Sequence, residues 1–173
     1  MSKRLKLSAA VLALTALSGC GLRPLYGGGV AGPVQTMLSG VEVAPIEGES
    51  GWLVSNAVRD RIEATASGTP RYRLEIKLDD QIIGLGVRRD DVVTRERRTL
   101  RARYQLVELA TGQVVLDATA GSDAGIDVAS SEYATIAAER TALERLSGII
   151  ADQIVARLAR YARSSAGPAT GAK

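Results

Sequence analysis

The clearest hydrophobic pattern in the chain runs from residue 71 to 78, where Tyr72, Leu74, Ile76 and Leu78 alternate with Arg71, Arg73, Glu75 and Lys77. A period of two sends successive side chains to opposite faces, so the segment predicts a half-buried strand with one wet face. It continues through Ile82, Ile83 and Leu85. A charged stretch, Arg88 to Arg98, then leads into a second strand, in which Leu100, Ala102, Tyr104 and Leu106 alternate with Arg101, Arg103 and Gln105. Thr111-Gly112 marks a tight turn and Val114 to Ala120 the returning strand, so the three form a meander. Upstream, Val41 and Val43 alternate with Gly40 and Glu42 in a short strand over Leu38 to Pro45, stopped by the proline.

Two segments carry helical spacing instead. Ser50 to Ala66 places Trp52/Leu53, Ala57/Val58, Ile62 and Thr65 on one face, with Ser50 or Ser55 as a cap and Gly68 and Pro70 beyond its end. Ser130 to Arg163 places Tyr133, Ile136, Leu143, Leu146, Ile150, Ile154, Leu158 and Tyr161 three or four apart, with one wider gap. Ser130 or Ser131 would cap it. Glu132 in its first turn and Arg157, Arg160 and Arg163 toward its end agree with the helix dipole. The order β-α-β-β-β-α predicts an α+β two-layer sandwich: a mostly antiparallel four-stranded sheet with two helices on one face. The odd-numbered, polar and basic residues would line the other face.

The ends read differently. Lys3, Arg4 and Lys6 precede an apolar run from Leu7 to Leu17, and Leu17-Ser18-Gly19-Cys20 follows. That is a positive n-region, a short h-region and a small-residue processing site, here a lipobox. A transmembrane helix needs roughly 17–25 apolar residues, more than this run supplies. Residues 1–19 are therefore expected to be a lipoprotein signal peptide. Cys20 would become the first mature residue, carrying an S-diacylglycerol and an N-acyl chain. Residues 20–37, rich in Gly and Pro, read as a lipidated tether, 38–162 as the folded domain and 163–173 as a disordered tail.

Processing changes the meaning of the charge. The chain has 22 Lys+Arg against 19 Asp+Glu, and three of the bases but none of the acids precede Cys20, which leaves 19 of each. General affinity for nucleic acid is not implied. Without Phe or His, the core must be aliphatic, and with a single cysteine no internal disulfide forms. The same lack removes metal sites of the His/Cys kind and Ser-His-Asp or Cys-His catalysis. Asp79/Asp80, Asp90/Asp91 and Glu139/Glu144 sit beside bases or turn residues and read as solvated charge. Gly84-Leu85-Gly86 reads as a strand bend rather than a dinucleotide fingerprint. The chain does not read as an enzyme, and no cofactor is expected beyond the lipid on Cys20.

The positive signal is arginine. Arg88, Arg89, Arg95, Arg97, Arg98, Arg101 and Arg103 lie within sixteen residues, against Asp90, Asp91 and Glu96. A guanidinium offers a planar fork that grips phosphate or carboxylate bidentately. Three readings stand side by side: a solvated, partly self-neutralised sheet surface, a face that binds an anionic glycolipid, and arginines that line the interior of a partner protein.

The residues after the lipobox bring in a resemblance. Cys20-Gly21-Leu22-Arg23-Pro24-Leu25-Tyr26 resembles the mature N-terminus of the LptE family of lipopolysaccharide-assembly lipoproteins, with Gly21, Pro24, Leu25 and Tyr26 as the matching signature and Leu22 where an aromatic residue is common. The resemblance implies an outer-membrane lipoprotein subunit of the lipopolysaccharide translocon. Such a subunit plugs and helps assemble its partner β-barrel, LptD, and binds lipopolysaccharide on its way to the outer leaflet. The seven arginines are the candidate lipopolysaccharide contacts. A lipoprotein that serves only as a plug or chaperone, and a module that binds cell wall or a transporter, are the alternatives.

Overall fold

A computed structural model of the chain describes residues 32–62, 69–87, 93–128 and 131–166. The alternation at residues 71–78 forms the strand it predicts, and the strand is long: β2 spans Tyr72–Val87. It pairs antiparallel with β3, Val93–Glu108, which pairs antiparallel with β4, Val114–Asp127. On the other side of β2 lies β1, Val41–Val43, parallel to it, so the spatial order is β1-β2-β3-β4. The fold is α+β, and the sheet is mostly antiparallel, as the pattern of elements predicts.

Register explains the core. Leu74 faces Leu106, Ile76 faces Tyr104 and Leu78 faces Ala102 across β2 and β3, while Ala102 and Tyr104 face Ala120 and Ala118 of β4. Leu74, Leu100 and Leu106 are fully buried, and Ala102 and Tyr104 nearly so. Helix α2, Gly48–Ile62, and helix α3, Glu132–Ser165, cover this even-numbered face. Val54 and Val58 of α2 and Leu146, Ile150, Ile154 and Leu158 of α3 are fully buried against it. Where α3 lies close to β4, that strand contributes alanines, which leave room for the helix. Arg61 ties the two helices together, donating to Asp152 at 2.6 Å and to the Gly148 carbonyl at 3.3 Å. Gly112, at φ +69°, makes the β3–β4 turn that Thr111-Gly112 predicts. The Gln153 side chain of α3 reaches the outer edge of β4, accepting from the Gly121 N–H at 3.0 Å and donating to its carbonyl at 3.2 Å.

Several expectations need correction. The segment read as tether up to residue 37 ends in a short helix, α1, Pro33–Leu38, which buries Val34 and Leu38 in the core. The proline stands at its first turn, where the missing N–H costs nothing. The described residues thus hold one more helix than the two predicted. The charged stretch before the second strand is itself strand from Val93 onward, because its residues pair with β2 and β4 on both sides. Helix α2 starts before Ser50, and Ser55 donates to the Trp52 carbonyl inside it instead of capping its end. Ser131 occupies the N-cap of α3 without a side-chain cap bond. That helix also runs through Arg163 to Ser165, into the segment expected to be a disordered tail. Its first turns are not core: Tyr133 is 87 % and Ile136 54 % exposed, and burial begins at Ala142. Trp52, placed on the apolar face of α2 by its spacing, is 62 % exposed.

These exposures set a test by truncation. Leu158→Ala is expected to lower the unfolding free energy by about 2–5 kcal/mol, as cavities in packed cores do. Trp52→Ala should change it by no more than about 0.5 kcal/mol. Urea denaturation followed by far-ultraviolet circular dichroism separates the two outcomes.

Candidate functional site

The pleat sorts the arginine cluster. Arg95, Arg97, Arg101 and Arg103 occupy odd positions of β3 and face away from the helices, on the open side of the sheet. Arg98 occupies an even position and does not join them. It lies on the helix-covered face, with its Nε and Nη2 bonded to the Asp80 carboxylate at 2.8 and 2.7 Å and its Nη1 to the Glu139 carbonyl at 3.0 Å. Its side chain is 13 % exposed and that of Asp80 19 %. The two-point bond to Asp80 raises the Arg98 pKa against the opposing effect of burial. Arg98 therefore locks the sheet to α3, and the expectation that it belongs with the other arginines is corrected by the parity of its position. Arg88 and Arg89 lie outside the described residues, as do Cys20, Gly21, Pro24, Leu25 and Tyr26.

On the open face the arginines meet acids that the sequence reading overlooked. Arg95 pairs with Asp127 at 3.2 Å, Arg101 with Asp123 at 3.3 Å and Arg103 with Asp117 at 2.9 Å. All three acids belong to β4. On the β2 side, Arg73 lies 3.8 Å from Glu42 and Arg71 bonds to Glu108 at 3.1 Å. Arg101 lies flat across β4 because Gly121 stands opposite it: a Cβ there would come within 2.6 Å of the arginine Cδ. The odd positions of β2, β3 and β4 carry Arg73, Lys77, Arg95, Arg97, Arg101 and Arg103 against Glu75, Asp79, Asp117, Asp123 and Asp127. The face holds an excess of one positive charge rather than a cationic stripe. Arg97 and Lys77 are its cations without an ion-pair partner among the described residues. Arg97 stands in register between Gly125 and Ile83, an isoleucine that is 42 % exposed. A shallow depression of ≈ 170 Å³ between Glu75, Lys77, Arg103 and Gln105 is lined by charges of both signs.

The pairing leaves its mark on proton affinity. Bonds from Arg103 and Gln105 hold Asp117 below the ordinary carboxylate range. A bond from the Thr99 hydroxyl, supported by Arg101, does the same for Asp123. Arg71 and Thr111 act likewise on Glu108. Among the described residues, no group of three or more acids, His or Cys is placed to hold a metal ion. The acids at 117, 123 and 127 share the parity of the arginines, and that was the available signal. What sequence did not supply was the register, which shifts at a bulge between Leu106 and Val107.

Comparison with known proteins bears on the whole domain. The family model for LptE, described as lipopolysaccharide-assembly, matches residues 38–158. No curated protein matches the chain. Among solved structures, a proposed lipoprotein from Caulobacter crescentus is 26% identical with a TM-score of 0.65, covering 80% of this chain and 100% of that one. Rare lipoprotein B from Shewanella oneidensis (9% identical, TM-score 0.53) covers 73% of this chain and 93% of its own. An uncharacterized lipoprotein B from Nitrosomonas europaea (13%, TM-score 0.54) covers 73% and 83%. At those identities the last two speak for the fold alone.

The depressed carboxylates set a pH test. A group whose folded pKa is lowered contributes stability that is complete above its unfolded range near about pH 4 and is lost as pH falls through the folded value. Arg103→Gln should therefore move Asp117 back toward the ordinary range and leave Asp123 in place, as read by carboxyl carbon resonances in an acid titration. The stability difference between the two proteins should be present at neutral pH and vanish in acid. An unmoved Asp117 would mean that the pair does not form in solution.

Proposed function

The chain belongs to the lipopolysaccharide-assembly (LptE) family, whose members are non-enzymatic envelope lipoproteins without a cofactor, and from that premise we propose that it is the outer-membrane lipoprotein that plugs and helps assemble the LptD β-barrel and delivers lipopolysaccharide to the outer leaflet. The family match over residues 38–158 carries this reading. The lipobox ending at Cys20 supports it from the other end of the chain. Two chains on the cysteine sulfur and one on its nitrogen would make a stable anchor, since each buried methylene adds about 0.8 kcal/mol. A domain whose open face is polar and close to neutral suits the polar interior of a wide barrel.

Lipopolysaccharide contact is assigned to the open face of β3, at Arg95, Arg97, Arg101 and Arg103, together with Arg88 and Arg89. Arg98, already engaged by Asp80, is left out. Within this set Arg97 is the strongest candidate. A phosphate approaching Arg101 or Arg103 must displace an ionised carboxylate, and one approaching Arg97 need not. The exposed Ile83 beside Arg97 gives an amphiphile both a charge and an apolar contact. The ion pairs themselves favour a second reading, in which the face is self-satisfied and the protein serves as a plug without lipid contact.

The two readings part on one experiment. Replacing Arg88, Arg89, Arg95 and Arg97 with Ser in the full protein should abolish lipopolysaccharide binding and leave the fold intact. Unchanged binding would remove these arginines from the site. Affinity purification of a tagged copy from solubilised outer membranes should bring down a barrel of ~16 or more strands. Cell-wall fragments or inner-membrane transporter subunits in its place would overturn the translocon assignment.

A further inference from the structure

Arg157 and Arg160 stand on α3 three residues apart, and in the sequence they explain themselves as complements of the helix dipole. Their surroundings ask for more. Both line a cleft of ≈ 580 Å³ between α3 and β4, together with Tyr104, Asp117, Thr119 and Gln153. Neither guanidinium forms an ion pair or hydrogen bond with any described residue. The one carboxylate of the cleft, Asp117, is occupied by Arg103 at 2.9 Å and Gln105 at 2.8 Å. The cleft therefore presents two exposed guanidiniums, three residues apart on one helix, with no acidic partner of their own among the described residues.

Tyr104 adds an independent observation. The residue is 1 % exposed as a whole and lies on an inner strand of the sheet; it lines the cleft, and its hydroxyl has no hydrogen-bond partner among the described residues and is not closed off from solvent. Burial raises the Tyr104 pKa while the charges of Arg157 and Arg160 draw it down, so both guanidiniums act on the phenol. The phenol hydroxyl thus reaches neutral pH protonated, as a donor, beside two donor forks.

We infer that the cleft between α3 and β4 binds a phosphoryl group, gripped by the guanidinium forks of Arg157 and Arg160 and by the Tyr104 hydroxyl. The donors come from two directions, the forks from the helix and the phenol from the sheet. That convergence fits a tetrahedral group with oxygens on several sides better than a planar carboxylate, which a single fork satisfies. The open side of the cleft leaves space for whatever the phosphoryl group is attached to. The residues are distinct from Arg95, Arg97 and Arg101 on the open face, so this site stands or falls separately from the reading above.

The test uses the full-length protein in detergent, with arginine Nε–H resonances followed during titration. The probes are inorganic phosphate, glucose 1-phosphate, a short-chain phosphatidic acid and, for contrast, glutamate. Arg157 and Arg160 should shift saturably with all three phosphates. R157Q/R160Q should weaken binding by about tenfold or more, as the loss of charge-assisted bonds does. Y104F should weaken it to a smaller degree with an unchanged circular dichroism spectrum. Tightest binding of glucose 1-phosphate would assign a saccharide carrier, and of the phosphatidic acid a lipid carrier. Equal binding would mean that the phosphoryl group alone is read, and each of these upholds the site. Shifts without saturation, undiminished affinity in R157Q/R160Q, or an equal response to glutamate would overturn it.

Discussion

One-sided burial of the sheet is the constraint on which this molecule rests. Every even-numbered residue from Leu74 to Leu78 and from Arg98 to Leu106 faces α2 and α3, and every odd-numbered one faces away. Complete burial of a Leu or Ile side chain contributes roughly 1.5–3 kcal/mol, while an exposed ion pair contributes about 0–1 kcal/mol. The layer formed by Leu74, Leu100, Leu106, Leu146, Ile150, Ile154 and Leu158 therefore decides the fold, and the charges are free to be arranged for other ends. The layer is built without Phe, and the buried residues that β4 sets beneath α3 include Ala120 and Ala124.

The same constraint explains what could be read in advance. Tyr72, Leu74, Ile76 and Leu78 announce their strand because burial on one face forces the period of two. Leu143 to Leu158 announce their helix in the same way. Tyr133, Ile136 and Trp52 continue a helical stripe beyond the layer that would cover it, and spacing alone has no means of registering where the cover ends. Helix α1 was hidden because six residues hold too few turns for a period to show, and Gly40 and Pro33 mark its flanks as loop. At the candidate site the arginines were visible and their partners were not. Arg98 and Arg97 are neighbours in sequence and opposites in the sheet. The Arg101–Asp123 and Arg103–Asp117 pairs depend on a register set by a bulge that no composition encodes.

Charge in this protein is accordingly of two kinds. Arg98 and Asp80 are largely withdrawn from solvent and hold the hairpin to α3, so that truncating either would strand the other's charge. Arg95, Arg101 and Arg103 are paired in the open and keep a broad face near neutrality. Against that background Arg97 on one side of the sheet and Arg157 and Arg160 at its edge, which have no ion-pair partner among the described residues, stand out more sharply than the density of arginine in the sequence suggested.

The bond between Gln153 and Gly121 carries a consequence of its own. A final strand whose outer backbone groups are unclaimed is a template on which further chains can add, and secreted proteins in crowded compartments are exposed to that hazard for as long as they travel. The Gln153 amide satisfies both the N–H and the carbonyl of Gly121 in the middle of β4. An incoming strand must break that two-point clasp before it can zip along the edge. A single side chain, rooted in the deeply buried stretch of α3, thus stands as a doorstop in the path of such a strand.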